Sequence, residues 1–411
     1  MSESITKISK QAWMEAPETR RIMDALRANG GSARFVGGCV RNTLANVKVV
    51  DIDIATPQEP EDVIAKLNAA KISYVPTGLK HGTVTAVVDG KPFEITTLRV
   101  DVLTFGRHAE VKYTDDWKTD AARRDFTINA MSADIDGTVY DYFNGIEDLR
   151  LGRIVFVGDA EKRIREDVLR ILRYFRFLAH FGKGVPDAPA LQACQKLSSL
   201  LPKLSAERIR QETLKLLEAD GCADVWHLML QAGVVTHFLP EATDTAALQR
   251  LTHLENNYEE AGFSLRRLAA LLQVTPEGIA QVEKSLRLSR AQGEFLNGLL
   301  THYPNISLYM DAAEVRTLVY RHGSDLTRSL LLLTAAKSGA EGELRNLYEE
   351  ATSFRPPRFP LTGDDVIALG WTAGPDVGHV LEALESWWIA EDFTPGRTAC
   401  LEKLRSEYTP R

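Results

Sequence analysis

At 411 residues the chain is longer than one compact core usually allows, so two or more domains are expected. Hydrophobic residues at 44% and charged residues at 26% exclude a chain dominated by disorder, and no apolar run is long enough to cross a membrane. A formal charge of -7 excludes a uniformly basic nucleic-acid binder, though not one whose basic groups are gathered in one place.

The opening segment MSESITKISK lacks the apolar stretch of a signal peptide, which predicts a cytoplasmic protein. The cysteines (Cys39, Cys194, Cys222 and Cys400) are far apart and form no C-x-x-C pair. That argues against structural zinc and a disulfide framework, and it suits a reducing compartment.

In chain order, residues 21–28 read as a helix ended by Asn29-Gly30-Gly31. Residues 33–36 read as a strand that runs into Gly37-Gly38 and then a helix-like segment. Residues 49–54 alternate Val50, Ile52 and Ile54 against Asp51 and Asp53, the period of a strand. Residues 84–88 and 93–97 flank Asp89-Gly90, a hairpin turn signal, and residues 139–143 follow Asp136-Gly137 in the same way. From about residue 159 the period becomes helical. Arg355-Pro356-Pro357-Arg358-Phe359-Pro360 reads as a linker before a small terminal module. The pattern predicts an α+β fold: a small mixed-sheet head followed by a helical remainder.

Asp51 and Asp53 are two apart on a predicted strand, so both carboxylates project from one face. Paired carboxylates are hard oxygen ligands that suit Mg²⁺, an ion that also binds substrate phosphates. A lone D-x-D is more often a solvent-facing strand edge. Here, however, Gly37-Gly38 and Arg41 precede it, a turn that lets backbone N–H groups approach phosphate beside a cation. Glu94 on the next hairpin could supply a third carboxylate for a two-metal site, or could be an exposed strand residue.

Arg123-Arg124-Asp125-Phe126-Thr127-Ile128-Asn129 offers donors for phosphate and an acceptor for ribose hydroxyls, or else a helix start. In residues 165–177, Arg170, Arg173 and Arg176 make one helical stripe opposite Val168, Ile171, Leu172 and Phe175. Asp167 stands three residues before Arg170, close enough to interact with it. An acceptor and a donor held together match the edge of a base, while the plainer reading is a solvated arginine face. His227, His237 and His253 lack metal-ligand spacing and read as packing residues.

These blocks resemble the class II CCA-adding enzymes, tRNA nucleotidyltransferases of the polymerase β superfamily. The resemblance rests on GGCVRN with DIDIAT, RRDFTINA, REDVLRILRYFRF and SAERIRQETLKLL, and more weakly on the segment around Gly370 and Gly374-Pro375. It implies template-independent addition of C, C and A to the 3′ end of tRNA from CTP and ATP, with release of pyrophosphate. It implies a metal site at Asp51 and Asp53, to which the residue chemistry above adds Mg²⁺ and Glu94 as a further catalytic carboxylate. Gly38 and Arg41 would contact triphosphate, and Arg124 and Asp125 the nucleotide. Asp167 and Arg170 would read the base, and Arg173 and Arg176 would make further nucleotide contacts. The implied architecture is a nucleotidyltransferase head (residues 1–148), a neck with base recognition (149–220), and a body (221–354) and tail (355–411) that bind tRNA.

One departure is Asn42, where the family usually has Asp. A poly(A) polymerase shares the head chemistry, but residues 76–85 resemble the CCA-adding side. A partial CC- or A-adding enzyme would have a curtailed loop, whereas residues 97–122 are long and carry Arg99, Asp101 and Arg107. A silent RNA-binding relative would be expected to lose Asp51 or Asp53.

Overall fold

The computed structural model describes residues 4–76, 78–79, 82–105 and 108–408. It contains two compact units, Met1–Thr243 with Lys284–Arg287, and Asp244–Glu283 with Leu288–Arg411. The strands are β1 (Ser4–Lys7), β2 (Arg34–Val36), β3 (Asp53–Thr56), β4 (Ser73–Val75), β5 (Thr83–Val88), β6 (Lys91–Thr97), β7 (Arg99–Phe105), β8 (His108–Tyr113), β9 (Ser132–Ala133) and β10 (Thr138–Asp141). All of them lie in the first unit, and among the described residues no strand follows β10. The mixed head and helical remainder are therefore as expected.

Eight strands form one sheet in the order β1-β10-β9-β2-β3-β6-β5-β4, and β7 pairs with β8 in a separate hairpin. Within the sheet β3 and β6 run parallel. The β5–β6 hairpin turns at Asp89 (φ 50) and Gly90 (φ 78), the two left-handed positions that a tight turn requires. Alternate residues of β5, from Val84 to Val88, are buried, so period two does point one face to the core.

Residues 49–54 do not form the strand expected of them. Pairing of β2 with β3 stops at Val36 opposite Asp53, because Gly37 (φ 68) turns the chain away into a helix. Residues 50–52 thus lose their strand partner, and Val50 is left 79% exposed. Asp53 begins the strand, while Asp51 lies outside it.

The helices of the first unit are α1 (Ala12–Glu15), α2 (Pro17–Arg27), α3 (Gly38–Leu44), α4 (Pro60–Ala69), α5 (Trp117–Ala122), α6 (Gly145–Leu151), α7 (Ala160–Glu166), α8 (Arg170–Phe181), α9 (Ala188–Leu197), α10 (Ala206–Leu217) and α11 (Cys222–Gln231). The long segment of residues 97–122 is the β7–β8 hairpin and α5 rather than an irregular loop. Arg107 lies outside the described residues, as do Thr77, Lys80 and His81.

Residues 165–177 divide into α7 and α8 instead of making one helix. Asp167 is extended (φ −149, ψ 108) and its Oδ1 accepts from the Leu169 N–H at 3.2 Å. A short carboxylate side chain competes here with the helical ladder for a backbone donor. Beyond the break, Ile171, Leu172, Tyr174, Phe175, Phe177 and Leu178 bury one face of α8. Tyr174 packs with Phe126 and Phe156, centroids 6.3 and 6.0 Å away, tying α8 to the segments that follow α5 and α6.

The second unit is helical throughout its described regular structure. Glu255, fully buried, takes Arg266 at 2.8 Å and Arg267 at 2.6 Å, so each buried charge has a partner. Leu361, Val366, Val380, Leu384, Trp388 and Leu404 form a core cluster beyond the Pro-rich linker, with Tyr320 packed against it from before the linker, and the whole of Leu288–Arg411 falls in one unit.

Candidate active site

The site is built outward from the turn after β2. A Cβ on Gly37 would lie 3.4 Å from the Arg124 guanidinium and 3.8 Å from the Asp53 carboxylate. Glycine serves the positive φ and leaves the approach to Asp53 uncrowded. Gly38 then opens α3, and a Cβ there would meet Arg41 Nη2 at 3.7 Å.

Asp53 stands directly opposite Glu94 in the parallel β3–β6 register, so the two side chains share a face. Asp53 is half-buried, while Asp51 and Glu94 are exposed. Burial, reinforced by the Glu94 charge, pushes the Asp53 carboxyl up to about 6; Arg124 opposes this and Asp51 adds to it. Among the described residues, no group of three His, Cys, Asp or Glu side chains is gathered tightly enough to be a formed metal site. The donor set nonetheless fits a hard divalent cation. A half-buried carboxylate raised first by burial and then by two neighbouring carboxylates is relieved by added positive charge.

The second layer is an arginine cluster held by two buried acids. Arg173 pairs with Asp125 at 2.5 Å, and Arg176 with Glu212 at 2.7 Å. Burial opposes the Asp125 charge, but Arg173 and Asn129 prevail and bring it down to about 2. The Asn129 amide donates to Asp125 at 3.0 Å, and its carbonyl oxygen accepts from Arg41 at 2.5 Å. Arg41 lies 4.9 Å from the Phe177 ring centroid and 4.7 Å from that of Phe181. Burial pulls its guanidinium down to about 10, helped by the charges of Arg176 and Arg173 and opposed by Asp125. With Arg173 and Arg176 set against Asp125 and Glu212, Arg41 leaves this half-buried cluster with positive charge in excess, which suits an anion.

The arginine stripe of α8 is as the periodicity predicts, with Arg170, Arg173 and Arg176 all partly exposed on one side. The expected Asp167–Arg170 pairing takes a different form. Asp167 accepts from Arg208 at 2.7 Å, whereas Arg170 pairs with Glu166 at 2.8 Å and donates to the Arg123 carbonyl at 3.2 Å. The helix break at Asp167 separates the two side chains, leaving the Arg170 N–H to Asp167 carbonyl bond at 3.0 Å. Asn42 accepts from Arg41 at 2.8 Å, so the departure from Asp supplies a neutral acceptor to the same arginine.

Asp120, Arg208 and Glu212 carry no role in the sequence reading, whereas Asn129 belongs to the block singled out there. Glu212 carried a usable signal, since it lies one helical turn from Ile209 and from Leu216 on the apolar side of α10. A carboxylate on a buried stripe needs a charged partner.

Comparison with known proteins is consistent with this geometry. Residues 33–155 match the poly A polymerase head domain family, and residues 187–245 match the probable RNA and SrmB-binding site of polymerase A. The chain is 35% identical to the mitochondrial CCA tRNA nucleotidyltransferase 1 of Mus musculus over 367 residues, covering 86% of this chain and 82% of that protein. It is 31% identical to the CCA-adding enzyme of Leuconostoc mesenteroides, covering 95% of this chain and 96% of that one. The crystal structure of the Bacillus stearothermophilus CCA-adding enzyme in complex with CTP superposes with a TM-score of 0.72 at 27% identity. That alignment covers 95% of this chain and 98% of the other.

Proposed function

The chain belongs to the CCA tRNA nucleotidyltransferases of the polymerase β superfamily, and from that premise we propose which of its residues perform each part of the reaction. The protein adds C, C and A to the 3′ end of tRNA from CTP and ATP. The terminal 3′ hydroxyl attacks the α-phosphorus. A new P–O bond forms, the bond to pyrophosphate breaks, and the hydroxyl proton is released.

Asp51 and Asp53 would hold divalent metal, with Glu94 completing the carboxylate set; enzymes of this superfamily use divalent metals, and the hard oxygen donors favour Mg²⁺. Metal held by these carboxylates would supply Lewis-acid charge to the phosphoryl oxygens and lower the pKa of the attacking hydroxyl, as in a two-metal mechanism. Gly38, Arg41 and Arg124 contact the triphosphate, and Asp125 positions the ribose. Asp167 and Arg170 read the base, while Arg173 and Arg176 complete the nucleotide pocket. The observation that carries this reading is the juxtaposition of Asp53 with Glu94 in register and with Arg124 across Gly37. The head spans residues 1–148 and the neck 149–220, while the body (221–354) and tail (355–411) bind tRNA. Four free, buried cysteines support a reducing compartment, the cytoplasm.

The metal assignment has a test independent of catalysis. Because the native Asp53 pKa is raised, the folded state binds this proton more tightly than the unfolded state. That contribution is present below the ordinary carboxylate range and is lost as pH rises through about 6. A divalent ion reverses the preference, since it binds the ionised form. Added Mg²⁺ is therefore expected to raise the melting temperature clearly at pH 7.5 and little at pH 5. At a hundredfold excess over Kd the gain is about 2.7 kcal/mol. In Asp53→Asn the pH 7.5 shift should shrink; an undiminished shift in that variant rules out Asp53 as a ligand.

A further inference from the structure

Asp120 is absent from every role assigned above, yet it is a buried carboxylate at a junction of the site. It lies on α5, 3% exposed, and its two oxygens serve three residues in two segments. Oδ1 accepts from Arg123 Nε at 2.8 Å and from the backbone N–H of Arg99, the first residue of β7, at 3.2 Å. Oδ2 accepts from Arg124 Nη2 at 3.3 Å. The other terminal nitrogen of Arg124 faces Gly37, 3.4 Å from where a Cβ would stand, beside Asp53. Arg123 in turn presents its carbonyl to Arg170 at 3.2 Å.

From these contacts we propose that Asp120 is a positioning residue for nucleotidyl transfer: it orients Arg124 toward the triphosphate and anchors that arginine to the root of the β7–β8 hairpin. The inference rests on the reading of Arg124 as a triphosphate contact. An unrestrained arginine would sample many rotamers, whereas one gripped by a buried carboxylate loses little freedom when phosphate arrives. Arg123 neutralises the same carboxylate, so Arg124 keeps positive charge to spare for a ligand. The Arg99 bond places the hairpin's first residue on the same support, so a shift at the hairpin root moves the Asp120 carboxylate and the arginine it holds.

The test is steady-state kinetics of Asp120→Asn on tRNA lacking CCA, with tRNA affinity and melting temperature measured in parallel. The KM for CTP and for ATP is expected to rise about 10- to 100-fold, the range for loss of a charged hydrogen bond, with tRNA affinity unchanged. The variant is then combined with Arg124→Ala. If Asp120 acts through Arg124, the double variant is no worse than R124A alone. Equal, additive losses in the two backgrounds, or a lowered melting temperature with unchanged KM, overturn the proposal. Should D120N not fold, D120E carries the test: it keeps the charge but displaces it, so KM for both nucleotides rises in a folded enzyme, and an unchanged KM overturns the proposal. If R124A alone leaves KM unchanged, the triphosphate reading of Arg124 has failed, which is a separate result.

Discussion

Replacing Asp53 with alanine is expected to remove transfer of both C and A while leaving tRNA affinity close to wild type. Asp53 opens β3 opposite Glu94, and its carboxyl is raised to about 6 by burial and by that neighbour. Its proposed partner is a cation, and a cation at the reacting phosphate stabilises charge that develops in the transition state. Loss of one such group commonly lowers kcat by about 10²–10³-fold, and a lost metal should cost at least that much. Asp51→Ala should behave alike, although Asp51 lies outside the strand and is exposed. Binding of tRNA depends mainly on phosphate contacts with basic side chains, which neither substitution touches. Robust incorporation by either variant with Mg²⁺ present would remove these aspartates from the metal site.

Asp167→Ala is expected to change which nucleotide is accepted more than it changes the chemical step. A carboxylate only accepts hydrogen bonds, and cytosine and adenine each present an exocyclic amino donor where uracil and guanine do not. Asp167 is held by Arg208 at 2.7 Å and by the Leu169 N–H, so its position is set before any base arrives. Removing it should erase discrimination against UTP and GTP, worth about 1–3 kcal/mol for one well-made base contact. The carboxylates of β3 and β6 are untouched, so CTP should still be used at a reduced rate. The measured quantity is the ratio of kcat/KM for CTP over UTP on tRNA lacking CCA. If the ratio is unchanged while activity falls, Asp167 merely terminates α7.

The sequence made the chemistry more legible than the backbone. The D-x-D pair, the double glycine and the RRD block each name residue types whose chemistry is local, and Asp53, Gly37 and Arg124 do meet. Strand length was harder to read, since period two ran on through Val50 and Ile52 where the turn at Gly37 removes their partner. The same holds for the third block. Helical periodicity passed smoothly across Asp167, but its side chain takes the Leu169 N–H and breaks the helix. Partners distant in sequence were invisible to spacing: Arg208 is 41 residues from Asp167, and Arg173 is 48 from Asp125. Asp167, Arg173 and Arg176 are each held by an ion pair with a residue distant in sequence, and periodicity carries no information about those. The Arg124–Asp120 and Arg170–Glu166 pairs, by contrast, are four apart and were open to periodicity.

The most direct measurement of the central claim uses the purified protein and three tRNA transcripts, ending before CCA, after C and after CC, with CTP and ATP supplied separately and together. CTP alone should extend the first transcript to CC and stop. ATP alone should add a single A to the transcript ending in CC and leave the first one unextended. Both nucleotides together should yield CCA and nothing longer on all three. A lengthening run of A would instead identify a poly(A) polymerase. A halt at CC with both nucleotides present would mark a partial enzyme, and either result contradicts the account.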